Sequence, residues 1–327
     1  MGLVEPWTTI YSLPATPEYD PPASAGAVSD NANYVAVLSR KTFTEGTSRL
    51  NIYTRNGNSW TITSTFNVTG NIWNLVQNIG ITGAGDKIAV ADYIYVRSGS
   101  TWSQQTILAG SFASSRYSSA MSKDGLRVAV SSWTSSQLLV YRFNGTSWIL
   151  EQTITDPSGT GNYFGMVSSF NADGSTLAIS APYTNTAGFP RSGAVHVFTR
   201  TGTTWSQQAS LNPTTPASDM QFGYDVSLDD SGNYLVISSS QPGTQNGVYK
   251  RVGTTWSKQS VINNLYYRCA ISPDSTLVAG ASSMYYTNTG GLYRGDNQAN
   301  FGGAVFSTDN KYLLQVTSTV PNLTSRD

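Results

Sequence analysis

Six tryptophans in this chain are each followed, six residues later, by a large apolar residue: Trp7/Leu13, Trp60/Phe66, Trp102/Leu108, Trp148/Ile154, Trp205/Leu211 and Trp256/Ile262. Most sit in one phrase, Gly-Ser/Thr-x-Trp-Ser-x-Gln, as in GSTWSQQTIL, GTTWSQQASL and GTTWSKQSVI. Self-similarity at a period of roughly 40–55 residues means stacked supersecondary units. A second phrase precedes each tryptophan, a polar turn followed by a short apolar run, as in SKDGLRVAVSS, NADGSTLAISAP and DDSGNYLVISSS. Between the two lies an aromatic run such as LNIYTR, YIYVR or AVHVFTR. Alternating β-branched and aromatic residues bounded by Gly, Asn, Asp and Ser are strand signals.

Each unit therefore holds four strands: A before the polar turn, B after it, C with the aromatic run and D with the tryptophan. The expected fold is all-β, a seven-bladed β-propeller of four-stranded antiparallel blades. It forms one domain over residues 1–327, with blades at 24–68, 75–109, 116–155, 163–212, 222–263, 266–295, and 301–327 plus 6–14. The segment from Trp7 to Leu13 is a D strand with no A, B or C before it. The last unit has A and B strands and a C strand near Val320 to Thr324, so the N-terminal strand completes it. Only six residues separate Arg294 from Phe301, so blade six is expected to be truncated.

Charged residues are only 12% of the chain and net charge is zero, so the surface is built from Ser, Thr, Asn, Gln and Gly. A general nucleic-acid binder needs a basic footprint, and none is present. No apolar run reaches transmembrane length, and the N-terminal residues show no signal-peptide pattern. The lone Cys269 is expected to be a buried small hydrophobe.

In the fourth unit, YFGMVSSFNADGSTLAISAPYTNTAGFPRSGAVHVFTRTGTTW resembles the FG-GAP repeat, the blade of integrin α-subunit propellers and of many bacterial and viral surface proteins. Phe164-Gly165 stands for the FG, and Ser180-Ala181-Pro182 for the GAP with Ser replacing Gly; Phe222-Gly223 and Phe301-Gly302 repeat the FG. The resemblance implies a propeller with a binding or scaffolding role. Calcium-binding blades of that family carry an Asp-rich A–B loop. The corresponding turns here, at Asp124-Gly125, Asp173-Gly174 and Asp229-Asp230-Ser231-Gly232, hold one or two carboxylates, against the six to eight oxygens that Ca²⁺ takes. No metal or cofactor is expected.

Catalytic patterns find little support. The Gly-x-x-Trp half of the sialidase Asp box occurs at Gly202/Trp205 and Gly253/Trp256, with Arg200 and Arg251 at the Asp position. The single histidine, His196, lies within a C strand and reads as a packed residue. Asp92, Asp156, Asp219 and Asp225 lie near strand ends, and nothing in the sequence pairs them for glycoside cleavage.

Loop length points to the working surface. A–B and C–D turns are short and uniform, whereas the B–C and D–A loops on the other face vary, and variable loops on a rigid frame carry binding. Candidate contact residues there are Trp133, Tyr183, Phe189, Tyr285, Tyr286, Tyr117 and Tyr267; Trp73, Phe112, Tyr163 and Tyr266 lie on the same side. The six repeated tryptophans, with Phe164, Gly165, Phe222, Gly223, Phe301 and Gly302, are structural repeat positions, and the Gln residues of WSQQ are expected on the solvent face of strand D. The expectation is a non-enzymatic binding or assembly module at a virion or cell surface: a virion or tail component, or an adhesin. Its partner is a protein of a larger assembly or a host-surface glycan or receptor. The alternative is a carbohydrate-active glycosidase or lyase, which would gather carboxylates at the axis of the variable-loop face.

Overall fold

The structure, a computed structural model, describes residues 8–12, 23–40, 47–57, 59–69, 78–108, 110, 118–132, 135–280, 283–295, 301–306, 312–317 and 322–325. Alternating sequence and polar turns produce short strands throughout. A first strand, β1 (Thr8–Ser12), is followed by sheet one: β2 (Ala23–Val28), β3 (Tyr34–Arg40), β4 (Thr47–Asn56) and β5 (Ser59–Thr69). Sheet two holds β6 (Gly80–Ile81), β7 (Lys87–Val90), β8 (Tyr93–Ser98) and β9 (Thr101–Ile107). Sheet three holds β10 (Ser118–Met121), β11 (Arg127–Ser132), β12 (Gln137–Phe143) and β13 (Trp148–Thr155). Sheet four holds β14 (Ser168–Phe170), β15 (Thr176–Ala181), β16 (Ala194–Thr201) and β17 (Thr204–Leu211). Sheet five holds β18 (Val226–Leu228), β19 (Tyr234–Ile237), β20 (Gly247–Val252) and β21 (Thr255–Val261). Sheet six holds β22 (Ala270–Ile271), β23 (Leu277–Ala279), β24 (Ser283–Tyr286) and β25 (Leu292–Gly295). The remaining strands are β26 (Phe301–Phe306), β27 (Tyr312–Thr317) and β28 (Asn322–Ser325). They form a sheet ordered β26-β27-β28-β1, with β1 antiparallel to β28. The N-terminal strand thus supplies the outermost strand of the C-terminal sheet.

All these sheets are four-stranded and antiparallel, the architecture of a β-propeller. Apolar clusters bridge neighbours in chain order. Leu138 and Ile154 of sheet three meet Phe170 and Trp205 of sheet four, and Val226 and Leu235 of sheet five meet Val195 and Leu211 of sheet four. Trp60 and Val35 of sheet one share a cluster with Leu314 of the last sheet, and inner strands β2 and β26 touch.

The six-residue spacing of Trp and apolar residue now has a physical meaning. On a regular strand, residues an even number apart face the same side. Each described Trp strand, however, carries a bulge three residues after its Trp. The pairing skips from Phe198↔Gln207 to Val197↔Ala209, leaving Gln208 extra, and Thr63, Gln105, Glu151 and Gln259 are the equivalent extra residues. An extra residue reverses the facing of everything beyond it. Trp205 therefore packs toward sheet three and Leu211 toward sheet five; Trp102 and Leu108 divide likewise between sheets one and three. One strand serves two interfaces.

The bulged residue also clasps the next sheet. Gln105 Oε1 accepts the Trp148 indole N–H at 3.1 Å, and Gln208 Oε1 accepts that of Trp256 at 3.0 Å. Glu151 Oε2 lies 3.5 Å from Trp205 Nε1. The second Gln of WSQQ is thus an interblade ligand on the outer face: Gln104, Gln105 and Gln207 are exposed as expected, and Gln208 is half-buried. In sheet one the bulged residue is Thr63, which bonds Thr54 Oγ1 and the Ile52 carbonyl instead. The buried Trp102 Nε1 is left without an acceptor. Thr63→Gln should supply one and raise stability by about 1 kcal/mol, read as a higher denaturation midpoint; an unchanged or lower midpoint would refute the clasp.

Sheet six corrects two expectations. It is not truncated: its C strand is β24, which holds Tyr285 and Tyr286, both expected on a variable loop, and its D strand is β25. The B–C connection shrinks to residues 280–282, closed by Gly280 N–H donating to the Ser283 carbonyl at 2.8 Å. Strands of two to four residues suffice to make a whole sheet.

Candidate functional site

Small side chains on the inner strands leave a cavity of about 190 Å³ along the axis, walled by residues such as Ala25, Gly26, Gly80, Ala120, Ser168 and Ser227. That volume admits small molecules or a file of waters. At the A–B turn end, Lys123 Nζ lies 2.6 Å from Asp230 and 3.6 Å from Asp30, joining turns of sheets one, three and five. The turns are knitted further by backbone bonds: Asp30 N–H to Gly83 O, Gly83 N–H to Lys123 O, and Ala172 N–H to Asp230 O. Their carboxylates are engaged locally. Asp124 Oδ1 accepts from Leu126 N–H and Ser122 Oγ, and Asp173 Oδ1 accepts from Ser175 N–H and Asn171 Nδ2. This face is a fastening.

The other mouth, where D–A and B–C loops emerge, is built differently. Asp225, Arg268 and Asn78 line the channel there. Asp225 accepts the N–H groups of Val226 at 2.9 Å and Cys269 at 3.0 Å. Burial nevertheless pushes its carboxyl up to about 6, against the opposing pull of Arg268 and those N–H groups. The loops on this face carry five tyrosines in two ring groups. Tyr163 and Tyr183 lie 4.0 Å apart between ring centroids, Tyr224 and Tyr267 5.3 Å, and Tyr266 and Tyr267 5.4 Å. The Arg191 guanidinium sits 5.8 Å from the Tyr183 ring and pairs with Asp219 at 2.5 Å.

Backbone strain concentrates on the same loops. Tyr163 (φ 56°), Arg191 (φ 50°), Asp219 (φ 61°), Gln221 (φ 54°) and Tyr267 (φ 59°) all adopt the left-handed conformation, which is costly for bulky residues and clusters at functional sites. Part of it belongs to the repeat: Tyr163 and Gln221 directly precede Phe164-Gly165 and Phe222-Gly223. Phe164 and Phe222 are fully buried. Gly165 has φ 80° and a Cβ there would lie 2.5 Å from Ser131 Cβ; Gly223 has φ 83° and would meet the Ala194 carbonyl at 2.8 Å. Glycine is required where the loop passes close to the preceding sheet.

The sequence candidates divide. Tyr183 and Tyr267 fall in the tyrosine group, with Tyr267 46% exposed, and Phe189 is exposed on the long B–C loop of sheet four. Tyr285 is buried among Val236, Leu265 and Ile271 on strand β24, a core residue and not a loop contact. Tyr286 ends β24 at the C–D turn, on the opposite face, stacked edge-on against Tyr293. Both were misplaced because the short strand was read as loop. Trp133 and Tyr117, with Trp73 and Phe112, lie outside the described residues, as does Trp7. Phe301 and Gly302 lie on β26. Trp60, Trp102, Trp205 and Trp256 are buried, and Trp148 is half-buried against Phe143. Tyr224, Arg191 and Arg268 were not anticipated as site residues; the aromatic directly after Phe222-Gly223 was the available signal for Tyr224.

His196 is buried in sheet four, its Nδ1 2.9 Å from Ser210 Oγ and its Nε2 3.1 Å from Ser158 Oγ and 3.8 Å from Asp156 Oδ1. It ties the loop after β13 to strand β17. Burial lowers its pKa, and Asp156 acts in the opposite direction. A histidine held neutral in the fold contributes stability that is complete above its unfolded value, about 6.5, and is lost as pH falls below it. Asp225 has the opposite sign: its folded pKa of about 6 exceeds the ordinary carboxylate value, so lowering pH through 6 relieves the cost of burying its charge. His196→Gln should therefore melt at rising temperature as pH goes from 7 to 5, while the parent protein gains less or falls. Parallel profiles for the two would refute this assignment.

No family model and no curated protein matches the chain in sequence. Among solved structures, the chain is similar to a chain of Kuenenia stuttgartiensis hydrazine synthase, with a TM-score of 0.66 and 11% identity, covering 95% of this chain and 97% of that one. At that identity the likeness shows the β-propeller fold alone. Among the described residues no helix is long and apolar enough to cross a membrane.

Proposed function

We propose that this propeller is a binding and assembly module that meets its partner through the variable-loop mouth over sheets four to six. The gathering of Tyr163, Tyr183, Tyr224, Tyr266 and Tyr267 there carries the reading. Tyrosines supply rigid contact area with a polar handle, and these sit on strained loops above a fastened, uniform opposite face. The sheets read as seven blades of one ring, supported by the clusters between neighbours and the contact of β2 with β26. The Phe-Gly geometry supports a kinship with FG-GAP blades. A virion or tail component, or a surface adhesin, is the setting that fits the uncharged polar surface. At the channel mouth Asp225 stands beside Arg268, while the other lining carboxylates, Asp30 and Asp230, flank Lys123 at the A–B turn end, a separation that favours binding over hydrolysis.

The test is capture of partners from the native source by the intact chain. Tyr183→Ala and Tyr267→Ala should each weaken capture, while Tyr286→Ala on the opposite face leaves it unchanged. Loss of capture in Tyr286→Ala alone, or cleavage of sugar polymers by the parent protein, would overturn the reading.

A further inference from the structure

The chemistry of this mouth narrows the ligand. Its charged groups come as couples of opposite sign: Arg191 paired with Asp219, and Arg268 lining the same cavity as Asp225. Neither pair offers a net charge, and the chain as a whole carries none. An anionic or cationic ligand would have to break a pair to be matched. A neutral ligand rich in hydroxyl groups would not, because a guanidinium has five N–H donors and a carboxylate several lone pairs. The Arg191–Asp219 pair is half-exposed, so its outer edges can donate to and accept from neighbouring hydroxyls at once.

The aromatic surface is equally particular. The rings are tilted or edge-on to each other, 51° for Tyr163/Tyr183 and 77° for Tyr224/Tyr267. Such packing fixes the rings without covering every face. Backbone bonds join the loops that carry the two ring groups, Gln221 N–H to the Arg191 carbonyl and Tyr267 N–H to the Ser239 carbonyl, so the groups lie on adjoining loops from the sheet-four B–C loop to the channel mouth. A row of small separated platforms, interleaved with polar pairs, suits a chain of rings with apolar faces and hydroxylated edges. A protein hot spot, by contrast, centres on one desolvated apolar pocket.

We propose that the tyrosine row binds a neutral oligosaccharide, laid from Tyr183 to Tyr267 with one end over Asp225 and Arg268. The proposal rests on the binding reading above and specifies its ligand class. Titration of the intact protein with cellohexaose, mannohexaose and oligogalacturonate, by calorimetry and tyrosine fluorescence, tests it, backed by an array of further neutral glycans. A neutral oligosaccharide should bind, and Tyr183→Ala and Tyr267→Ala should each weaken it about tenfold or more. Tyr183→Phe and Tyr267→Phe should retain most of the affinity, and Tyr286→Ala all of it. Binding of oligogalacturonate alone, of no neutral glycan, or equally by both Ala variants would overturn the proposal. If a protein partner is captured through the same tyrosines while no glycan binds, the ligand class falls and the binding reading stands. If partner capture survives both Ala variants, the reading falls with it.

Discussion

Removing residues 1–14 is expected to cost several kcal/mol of stability and to make the protein aggregate. Strand β1 pairs with β28 through Thr8↔Ser325, Thr9↔Thr324, Tyr11↔Leu323 and Ser12↔Asn322. Each lost backbone hydrogen bond is worth about 0.5–1.5 kcal/mol. The loss leaves β28, until then covered on both sides by β1 and β27, as an open edge that templates pairing with other chains. It also weakens the sheet whose Leu314 packs against Val35 and Trp60 of sheet one, so damage passes directly into the neighbouring interface. Thermal unfolding followed by circular dichroism, with light scattering for association, measures both effects. A truncated protein that melts at the parent temperature and stays monomeric would show that β1 does not hold the last sheet. Adding back a peptide of residues 1–14 should restore part of the loss.

Much of this architecture was legible because a propeller repeats its physics. The recurring Trp, the polar turn and the aromatic run each recur where every sheet meets the same neighbour in the same way, and the N-terminal Trp strand was visible as a strand without a hairpin partner. The bulge was not legible. Nothing in Trp-Ser-Gln-Gln states that its second Gln is an extra residue, yet that residue decides why Trp205 and Leu211, six apart, serve different interfaces. Sheet six was misread for a related reason. Strands of two to four residues such as Ala270–Ile271 and Ser283–Tyr286 are shorter than any periodicity can register, so in sequence they are indistinguishable from loop.

The candidate site was legible by face but not by residue. Short A–B turns against long B–C loops identified the variable side, and Tyr183 and Tyr267 do lie there. Which aromatics converge depends on curvature between sheets, a long-range property that loop composition does not encode. Tyr285 and Tyr286 illustrate this: adjacent in sequence, one enters the core between sheets five and six and the other ends at the opposite turn. Arg191, Asp219 and Arg268 were ordinary polar loop residues until the fold set them beside tyrosines.

Glu151→Ala is expected to destabilise the protein by about 3–5 kcal/mol. Glu151 is the bulged residue of β13, and sheet three uses a carboxylate where sheets two and four use glutamine. Its side chain is fully buried and bonds Arg127 Nε at 3.2 Å, while Arg127 itself is 10% exposed. The same carboxylate oxygen faces the Trp205 indole of the next sheet. Truncation to alanine leaves a buried guanidinium without its counter-charge and removes the Trp205 acceptor, and an uncompensated buried charge is among the costliest single changes. Glu151→Gln keeps an acceptor for both neighbours but not the charge, so it should fall between parent and alanine. Arg127→Met combined with Glu151→Leu removes both charges together and should cost far less than Glu151→Ala alone, because replacing a whole buried pair by apolar groups is often neutral. Denaturant midpoints for the four proteins decide the matter. If Glu151→Ala lies within about 1 kcal/mol of the parent, the pair behaves as a solvated surface bridge and the clasp between sheets three and four rests on Gln152, whose amide bonds the Trp205 backbone N–H and carbonyl at 2.8 and 3.0 Å.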